Sequence, residues 1–306
     1  MKTCLILNPM AGRGAAGRRR DELEAALRAS DLDYTLYTTH APGGATELTY
    51  QALSQGFERV VAVGGDGTIN EVVNGLIGSR QLELGDACLG VIPLGTGSDF
   101  ARAINGLSVD DLQGAVRRLI SGSIRSVDAG RVRVEAAHQE LTRCFINGLG
   151  AGIDAMVAAE AAQITWLTGI AAYIVASLRA LATYRPGVMT VRYDGKELHR
   201  RLYFATLGNG HSQGGGFRMT PSGRIDDGLL DLCAVQSLRP DQVIRYYPRL
   251  IEGTHVTLPV VTMAQVREVE ISSAKPFPVA VDGEVIATDA HRVHAEVMPG
   301  AVRLFA

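Results

Sequence analysis

A parallel-sheet α/β domain followed by an antiparallel, β-rich domain is the fold class this sequence predicts, and three observations carry it. Up to residue 120, short all-apolar runs alternate with helical patterns, which is the signature of a parallel sheet covered on both faces. Three of those runs lead straight into loops rich in Gly, Asn and Asp, and in such sheets ligands bind at the carboxyl ends of the strands. Beyond Ser126 the pattern changes to alternating stretches and two Asp-Gly doublets, the mark of hairpin reversals. With 306 residues, the chain is long enough for two cores.

The elements follow in order. Strands are predicted at 4–7, 34–38, 60–63 and 89–92, and helices at 15–29, 45–55, 69–77, 99–104 and 109–120. The second half carries strand-like stretches at 131–136, 189–193, 201–207, 266–271 and 292–298, interrupted by helical segments at 155–182 and 240–252. Asp194-Gly195 and Asp282-Gly283 supply the tight turns. The domains are drawn as 1–125 and 126–306, joined near 121–128, with the last residues left free to return to the first domain.

Composition narrows the function. Thirty basic against 32 acidic residues give a net charge of -2, so no global field favours nucleic acid. Cys4, Cys88, Cys144 and Cys233 form no CxxC pair, which argues against a disulfide framework or zinc cluster and for a reducing cytoplasm. The apolar N-terminal run breaks at Asn8-Pro9, too soon for a signal peptide. Residues 161–178 carry no charge but are interrupted by Gln163, Thr165, Thr168 and Ser177, so a buried or pocket-lining helix is expected there, not a membrane span.

Gly12-Arg13-Gly14-Ala15-Ala16-Gly17 matches GxGxxG. Asn8-Pro9-Met10-Ala11 separates it from its strand, and the second strand ends Tyr37-Thr38-Thr39 without the ribose-binding carboxylate expected about twenty residues on. A dinucleotide fingerprint is therefore discounted. The stronger signal is Gly64-Gly65-Asp66-Gly67-Thr68-Ile69-Asn70-Glu71 directly after an apolar strand. Its glycines let amides approach an anion, and the following helix N-terminus favours phosphate. Thr68 and Glu71 have capping-box spacing. Asp66 would repel phosphate unless magnesium stands between them. The loops at 7–14 and 93–102 repeat the arrangement, so three loops can converge on one triphosphate. No GxxxxGK[ST] is present, and the lysines are only Lys2, Lys196 and Lys275; amides, a metal and Arg13 would have to handle the phosphate charge.

Asn8-Pro9-x-Ala11-Gly12, Gly64-Gly65-Asp66-Gly67-Thr68-x-Asn70-Glu71 and Pro93-x-Gly95-Thr96-x-x-Asp99-Phe100-Ala101-Arg102 resemble the diacylglycerol kinase catalytic domain, most closely that of soluble bacterial lipid kinases, with sphingosine and ceramide kinases as relatives. The resemblance runs on through Asn147-Gly148-x-Gly150-x-Gly152-x-Asp154, Asn209-Gly210, Gly214-Gly215-Gly216, Asp226-Asp227-Gly228-Leu229-Leu230-Asp231 and Asp282-Gly283-Glu284. It implies a nucleotide domain like that of NAD kinases and phosphofructokinases, an antiparallel β-sandwich domain, and an active site in the cleft between them. It further implies an ATP-dependent lipid kinase of phospholipid metabolism that phosphorylates diacylglycerol or a related glycerolipid. A soluble-substrate kinase of the NAD kinase type and a non-enzymatic lipid or nucleotide sensor are the alternatives.

By that resemblance Asn8, Thr39, Gly64, Gly65, Asp66, Gly67, Thr68, Asn70 and Thr96 hold the nucleotide, and Glu284, with Asp66, is catalytic. A turn carboxylate such as Glu284 can take the acceptor hydroxyl's proton. The carbonyls of Arg224 and Leu229 and the side chain of Asp227 match a structural magnesium site, and a second magnesium ion travels with ATP. Trp166 and Ile170 stand where helices flank the lipid. Ser98 departs from the family's usual asparagine. The implied partner is a lipid at the membrane surface, reached from the cytoplasm at the inner face without a transmembrane segment. A homodimer stays open.

Overall fold

The computed structural model describes residues 1–30, 32–95, 97–104, 107, 111–167 and 169–306, with the backbone alone at Pro240 and Ile244. The chain divides into two compact units, Met1–Val127 with Gly300–Ala306, and Asp128–Pro299.

The first unit is built on β1 (Thr3–Leu7), β2 (Tyr34–Thr38), β3 (Arg59–Gly64) and β4 (Cys88–Pro93). All neighbouring pairs among them are parallel, in the order β4-β3-β1-β2. Every residue of β1, β3 and β4 is buried, as expected where helices cover both faces; each fully buried Leu, Ile or Val contributes about 1.5–3 kcal/mol. Between the strands run α1 (Ala11–Arg18), α2 (Arg20–Arg28), α3 (Gly44–Ser54), α4 (Asp66–Gln81), α5 (Asp99–Ala103) and α6 (Leu112–Ser121). The chain's tail closes the sheet, pairing Leu304 in parallel with Leu89. Arg59 fixes that tail, its guanidinium 4.0 Å from the Phe305 ring and donating to the Leu119 carbonyl at 2.6 Å.

Three expectations need correction. The single helix at 15–29 is two helices, and α1 opens with Gly12, Arg13 and Gly14 all at positive φ (59°, 58° and 81°). α4 begins at Asp66, inside the glycine loop rather than after it. Thr68 and Glu71 form no capping box, since α4 has no side-chain cap. Glu71 instead accepts from the Gly43 and Ala45 amides, both at 2.9 Å, and so caps α3. The start of the expected helix at Val109 lies outside the described residues; α6 is capped by Asp111, which accepts from the Gly114 amide at 2.7 Å.

The second unit is antiparallel. Its strands are β5 (Ile124–Ala136), β6 (Glu140–Phe145), β7 (Gly148–Gly152), β8 (Val188–Tyr193), β9 (Lys196–Gly208), β10 (Leu230–Gln236), β11 (Val261–Val266), β12 (Glu268–Val281) and β13 (Glu284–Phe305), of which β5 begins and β13 ends in residues of the first unit. β9 and β12 are long enough to serve two layers: each pairs with β7 along one stretch and β8 along another. The layers enclose a core around Phe145, Leu149, Val191, Leu207, Leu232, Ile271 and Val293, a β-sandwich-like arrangement. Both Asp-Gly doublets are two-residue hairpin turns with positive φ at each position, the type I′ geometry that matches strand twist.

Helices α7 (Ile153–Gln163), α8 (Gly169–Thr183) and α9 (Pro240–Glu252) pack on one side of β9 and β10. The expected continuous helix over 155–182 is broken at 164–167. Among the described residues no helix is long and apolar enough to cross a membrane.

Candidate nucleotide and phosphoryl-transfer site

Parallel pairing brings the carboxyl ends of β1, β2, β3 and β4 to one edge, where Leu7 stands beside Thr38 and Val63, and Gly64 beside Pro93. The three glycine loops therefore leave the sheet side by side. They touch through bare backbone. A Cβ on Gly12 would stand 3.0 Å from the Leu94 carbonyl and 3.5 Å from Gly95 Cα, and one on Gly65 would stand 3.4 Å from Gly95 Cα. Gly12, Arg13 and Gly14 follow one another in the left-handed region, and the Gly14 amide donates to the Met10 carbonyl at 3.0 Å, so the first loop turns tightly where glycine permits it.

Side chains lock this junction. Asn8 Oδ1 accepts from the Met10 amide at 3.0 Å, and its Nδ2 donates to Thr68 Oγ1 at 3.1 Å. The first loop is thus shaped by Asn8 and tied to the second. Thr39 is buried beside them, its amide donating to the Leu7 carbonyl at 2.9 Å. Asn70 is buried one turn into α4 and accepts from Asn74 Nδ2. Thr96 lies outside the described residues.

Asp66, expected to face phosphate across a metal, has both oxygens engaged by protein amides. Oδ2 accepts from Asp99 N and Oδ1 from Phe100 N, each at 3.0 Å. It joins the second loop to the third by charge-assisted hydrogen bonds at the start of α5. Burial pushes its carboxyl upward against the pull of those amides, and the amides offset the repulsion a phosphate would otherwise meet. Ser98, fully buried, occupies the left-handed region at φ 50° and ψ 43°. Asparagine tolerates that conformation better than serine, which accounts physically for the residue this position departs from.

In the second unit, Glu284 is exposed and directly follows the Asp282-Gly283 turn. Asp282 is buried, and its carboxylate accepts from the amides of Ile146 at 2.9 Å, Asn147 at 3.0 Å and Gly148 at 2.7 Å. The base of the Glu284 hairpin is therefore fixed to the start of β7. This role was not read from the sequence, although the Asp-Gly doublet and the Asn147-Gly148 run signalled both partners.

The segment 224–231 concentrates negative charge. Asp227 Oδ1 accepts from the Leu229 amide at 3.1 Å, and Asp128 Oδ2 from the Gly228 amide at 2.7 Å. Burial, reinforced by Asp227, pushes the Asp231 carboxyl to about 6, and Asp231 Oδ2 is buried without a hydrogen-bond partner among the described residues. One half-buried carboxylate, neighbouring negative charge and loop carbonyls are donors a hard cation accepts, so the residues fit magnesium. Among the described residues no group of three or more His, Cys, Asp or Glu side chains is placed to hold a metal.

Trp166 is 69% exposed on the link between α7 and α8, and Ile170 packs into a half-buried apolar cluster with Tyr173, Ile174 and Tyr247.

Comparison with known proteins agrees with this architecture. Residues 2–132 match the diacylglycerol kinase catalytic domain, and residues 147–306 match the YegS C-terminal NAD kinase beta sandwich-like domain. Diacylglycerol kinase of Staphylococcus carnosus is 30% identical over 92% of this chain and 87% of its own length. That of Bacillus subtilis is 29% identical over 92% and 88%, and that of Mycobacterium tuberculosis 29% over 88% and 84%. Among solved structures, a diacylglycerol kinase from Bacillus anthracis superposes with a TM-score of 0.71 at 21% identity, covering 99% of this chain and 96% of its own. Yeast NADH kinase in complex with NADH superposes at 0.55 with 11% identity, covering 99% and 82%; both likenesses concern the fold.

Proposed function

The chain belongs to the diacylglycerol kinase family, and from that premise we propose that it transfers the γ-phosphoryl group of ATP to the hydroxyl of a glycerolipid, diacylglycerol foremost. The observation that carries the reading is the joined loop edge: Gly12, Gly65 and Gly95 in backbone contact, with Asp66 bonded to the amides of Asp99 and Phe100. That edge suits a polyphosphate held by amides, with Asn8, Thr39, Gly64, Gly65, Gly67, Thr68, Asn70 and Thr96 around the nucleotide.

Phosphoryl transfer asks chiefly for positioning and charge stabilisation. The loop amides orient the phosphates, and Asp66 keeps two loops in register while they do so. Glu284 accepts the proton of the attacking lipid hydroxyl, and the Asp282 anchorage limits where its carboxylate can stand. Magnesium bound with ATP would supply charge neutralisation at the phosphates, and a structural ion would be held by the Asp227 side chain and the carbonyls of Arg224 and Leu229. Trp166 and Ile170 contact the acyl chains, a role their exposure and half-buried apolar surroundings support. The lipid is met at a membrane surface by a protein with no spanning helix among its described residues.

The test is phosphate transfer from labelled ATP, with and without magnesium, to diacylglycerol, phosphatidylglycerol, sphingosine and NAD. Diacylglycerol is expected to be the preferred acceptor, and Glu284→Gln to lower kcat by about 10²–10⁴ while leaving ATP affinity unchanged. Preference for NAD, or full turnover by Glu284→Gln, overturns the proposal.

A further inference from the structure

α8 presents part of one side outward, interrupted at Val175, which packs against the cluster of Ala161, Ile164, Ala172 and Ala176. Ala171, Leu178 and Ala182 are exposed, and Val175 is half-buried between them. Their spacing of four, three and four residues puts them on a single stripe. Leu178 is 60% exposed, and α8 contains no acidic residue. At one end of this helix the Tyr173 hydroxyl lies 4.0 Å from where a Cβ on Gly283 would stand, beside the Glu284 turn. At the other end, roughly 15 Å along the axis at 1.5 Å per residue, the stripe runs into a cavity.

That cavity measures about 220 Å³ and is lined by Tyr184, Arg185, Gly187, Met189, Ser273, Lys275, Pro276 and Phe277. Two cations and two hydroxyls face it, and no carboxylate does. Arg185 is seated on the last turn of α8, its Nη1 donating to the carbonyls of Ala182 at 3.1 Å and Tyr184 at 3.2 Å. Among the described residues no acidic side chain pairs with Arg185 or Lys275, whereas Arg131, Arg179, Arg192 and Arg292 of the same unit are in ion pairs. Ser273 Oγ accepts from the Lys275 amide at 3.1 Å, which leaves its own hydrogen to donate. Met189 and Phe277, both buried, add apolar surface to the lining.

We propose that this pocket takes the phosphate of an anionic phospholipid, and that the α8 stripe beside it is the face by which the protein lies on a bilayer. Unpaired basic side chains next to exposed apolar ones match an anionic membrane surface in both charge and polarity. The exposed Val188, on the strand that starts at the pocket, extends the apolar side. Because one end of α8 adjoins the Glu284 turn, docking along this helix would hold that turn close to the surface from which the acceptor lipid comes. The assignment rests on the lipid-kinase reading for its purpose, but binding to vesicles tests it without catalysis.

The experiment is co-sedimentation of the full chain, without nucleotide, with phosphatidylcholine vesicles and with phosphatidylcholine–phosphatidylserine vesicles. The protein is expected to prefer the anionic vesicles, and the Arg185→Gln/Lys275→Gln double variant to lose that preference by roughly thirtyfold, about fivefold for each near-surface basic charge. Leu178→Ser is expected to weaken binding to both kinds of vesicle. Arg185→Lys should retain binding, and circular-dichroism melts show whether each variant is folded. Unaltered anionic binding by the folded double variant overturns the proposal. So does displacement from vesicles by millimolar-range inorganic phosphate or glycerol 3-phosphate that the double variant does not share, which would make free phosphate the ligand. Phosphorylation of dispersed short-chain diacylglycerol should be the same for the double variant and the parent. Charge-dependent vesicle binding by a protein inactive on every acceptor would sink the kinase reading and leave this surface standing.

Discussion

Asp282 and Gly148 hold each other by two hydrogen bonds: the Gly148 amide donates to Asp282 Oδ1 at 2.7 Å, and the Asp282 amide donates to the Gly148 carbonyl at 2.8 Å. With Ile146 and Asn147 also donating to the same carboxylate, the residue two before Glu284 is tied to the strand opposite. Replacing Asp282 by Ala would leave three buried amides without an acceptor, at about 1–3 kcal/mol for each group left unsatisfied. We expect a clear fall in Tm and a drop in kcat larger than any change in the KM for ATP. Steady-state kinetics beside thermal melts check this, and Asp282→Asn should recover part of both, since its amide oxygen still accepts.

Gly95→Ala tests the loop junction. The new Cβ would collide with Gly65 Cα and stand 3.1 Å from Gly65 N. Backbone meets backbone there, so neither side can yield by changing rotamer. Overpacking of this kind costs about 1–3 kcal/mol, and the amides around the phosphates would be displaced with it. Nucleotide affinity, followed by titration calorimetry, should fall by at least tenfold, more steeply than the melting temperature alone suggests.

Glu71→Ala separates two readings of one residue. If Glu71 capped α4, nucleotide binding would suffer first. Because it accepts from the Gly43 and Ala45 amides, the variant should fray the start of α3, lowering stability by about 1 kcal/mol, the usual worth of a helix cap. Hydrogen exchange localised to 43–46 is the direct readout.

Asp154 gives the stability a pH dependence. Burial raises its carboxyl from the ordinary 3.8 to about 7, although its Oδ1 accepts from the Ala155 amide at 3.0 Å. The folded protein therefore holds this proton where the unfolded chain has released it. The associated stability is fully present below about pH 4 and is lost as pH rises toward 7. Asp154→Asn should remove that slope, so that the variant gains on the parent across the window. Urea unfolding at stepped pH measures it, and parallel curves would refute the assignment.

Much of this protein was legible in its residues. Three short apolar runs can be strands only if both faces are covered, so Cys4–Leu7, Val60–Val63 and Leu89–Ile92 foretold β1, β3 and β4 and the parallel sheet. Glycine where a loop must meet an anion, and Asp-Gly where a hairpin must reverse, mark their places because no other residue types fit those backbone conformations so cheaply. Partnership is different. Glu71 stands three residues after Thr68, which suggested a local cap, yet it bonds 26 and 28 residues away. Asp66 sits in a loop that predicted a metal, yet its oxygens meet amides of another loop. A side chain's local spacing fixes which face of an element it leaves from, whereas its partner depends on which elements the sheet order brings alongside. That order is a property of the folded chain, and it alone decided what Asp66, Glu71 and Asp282 hold.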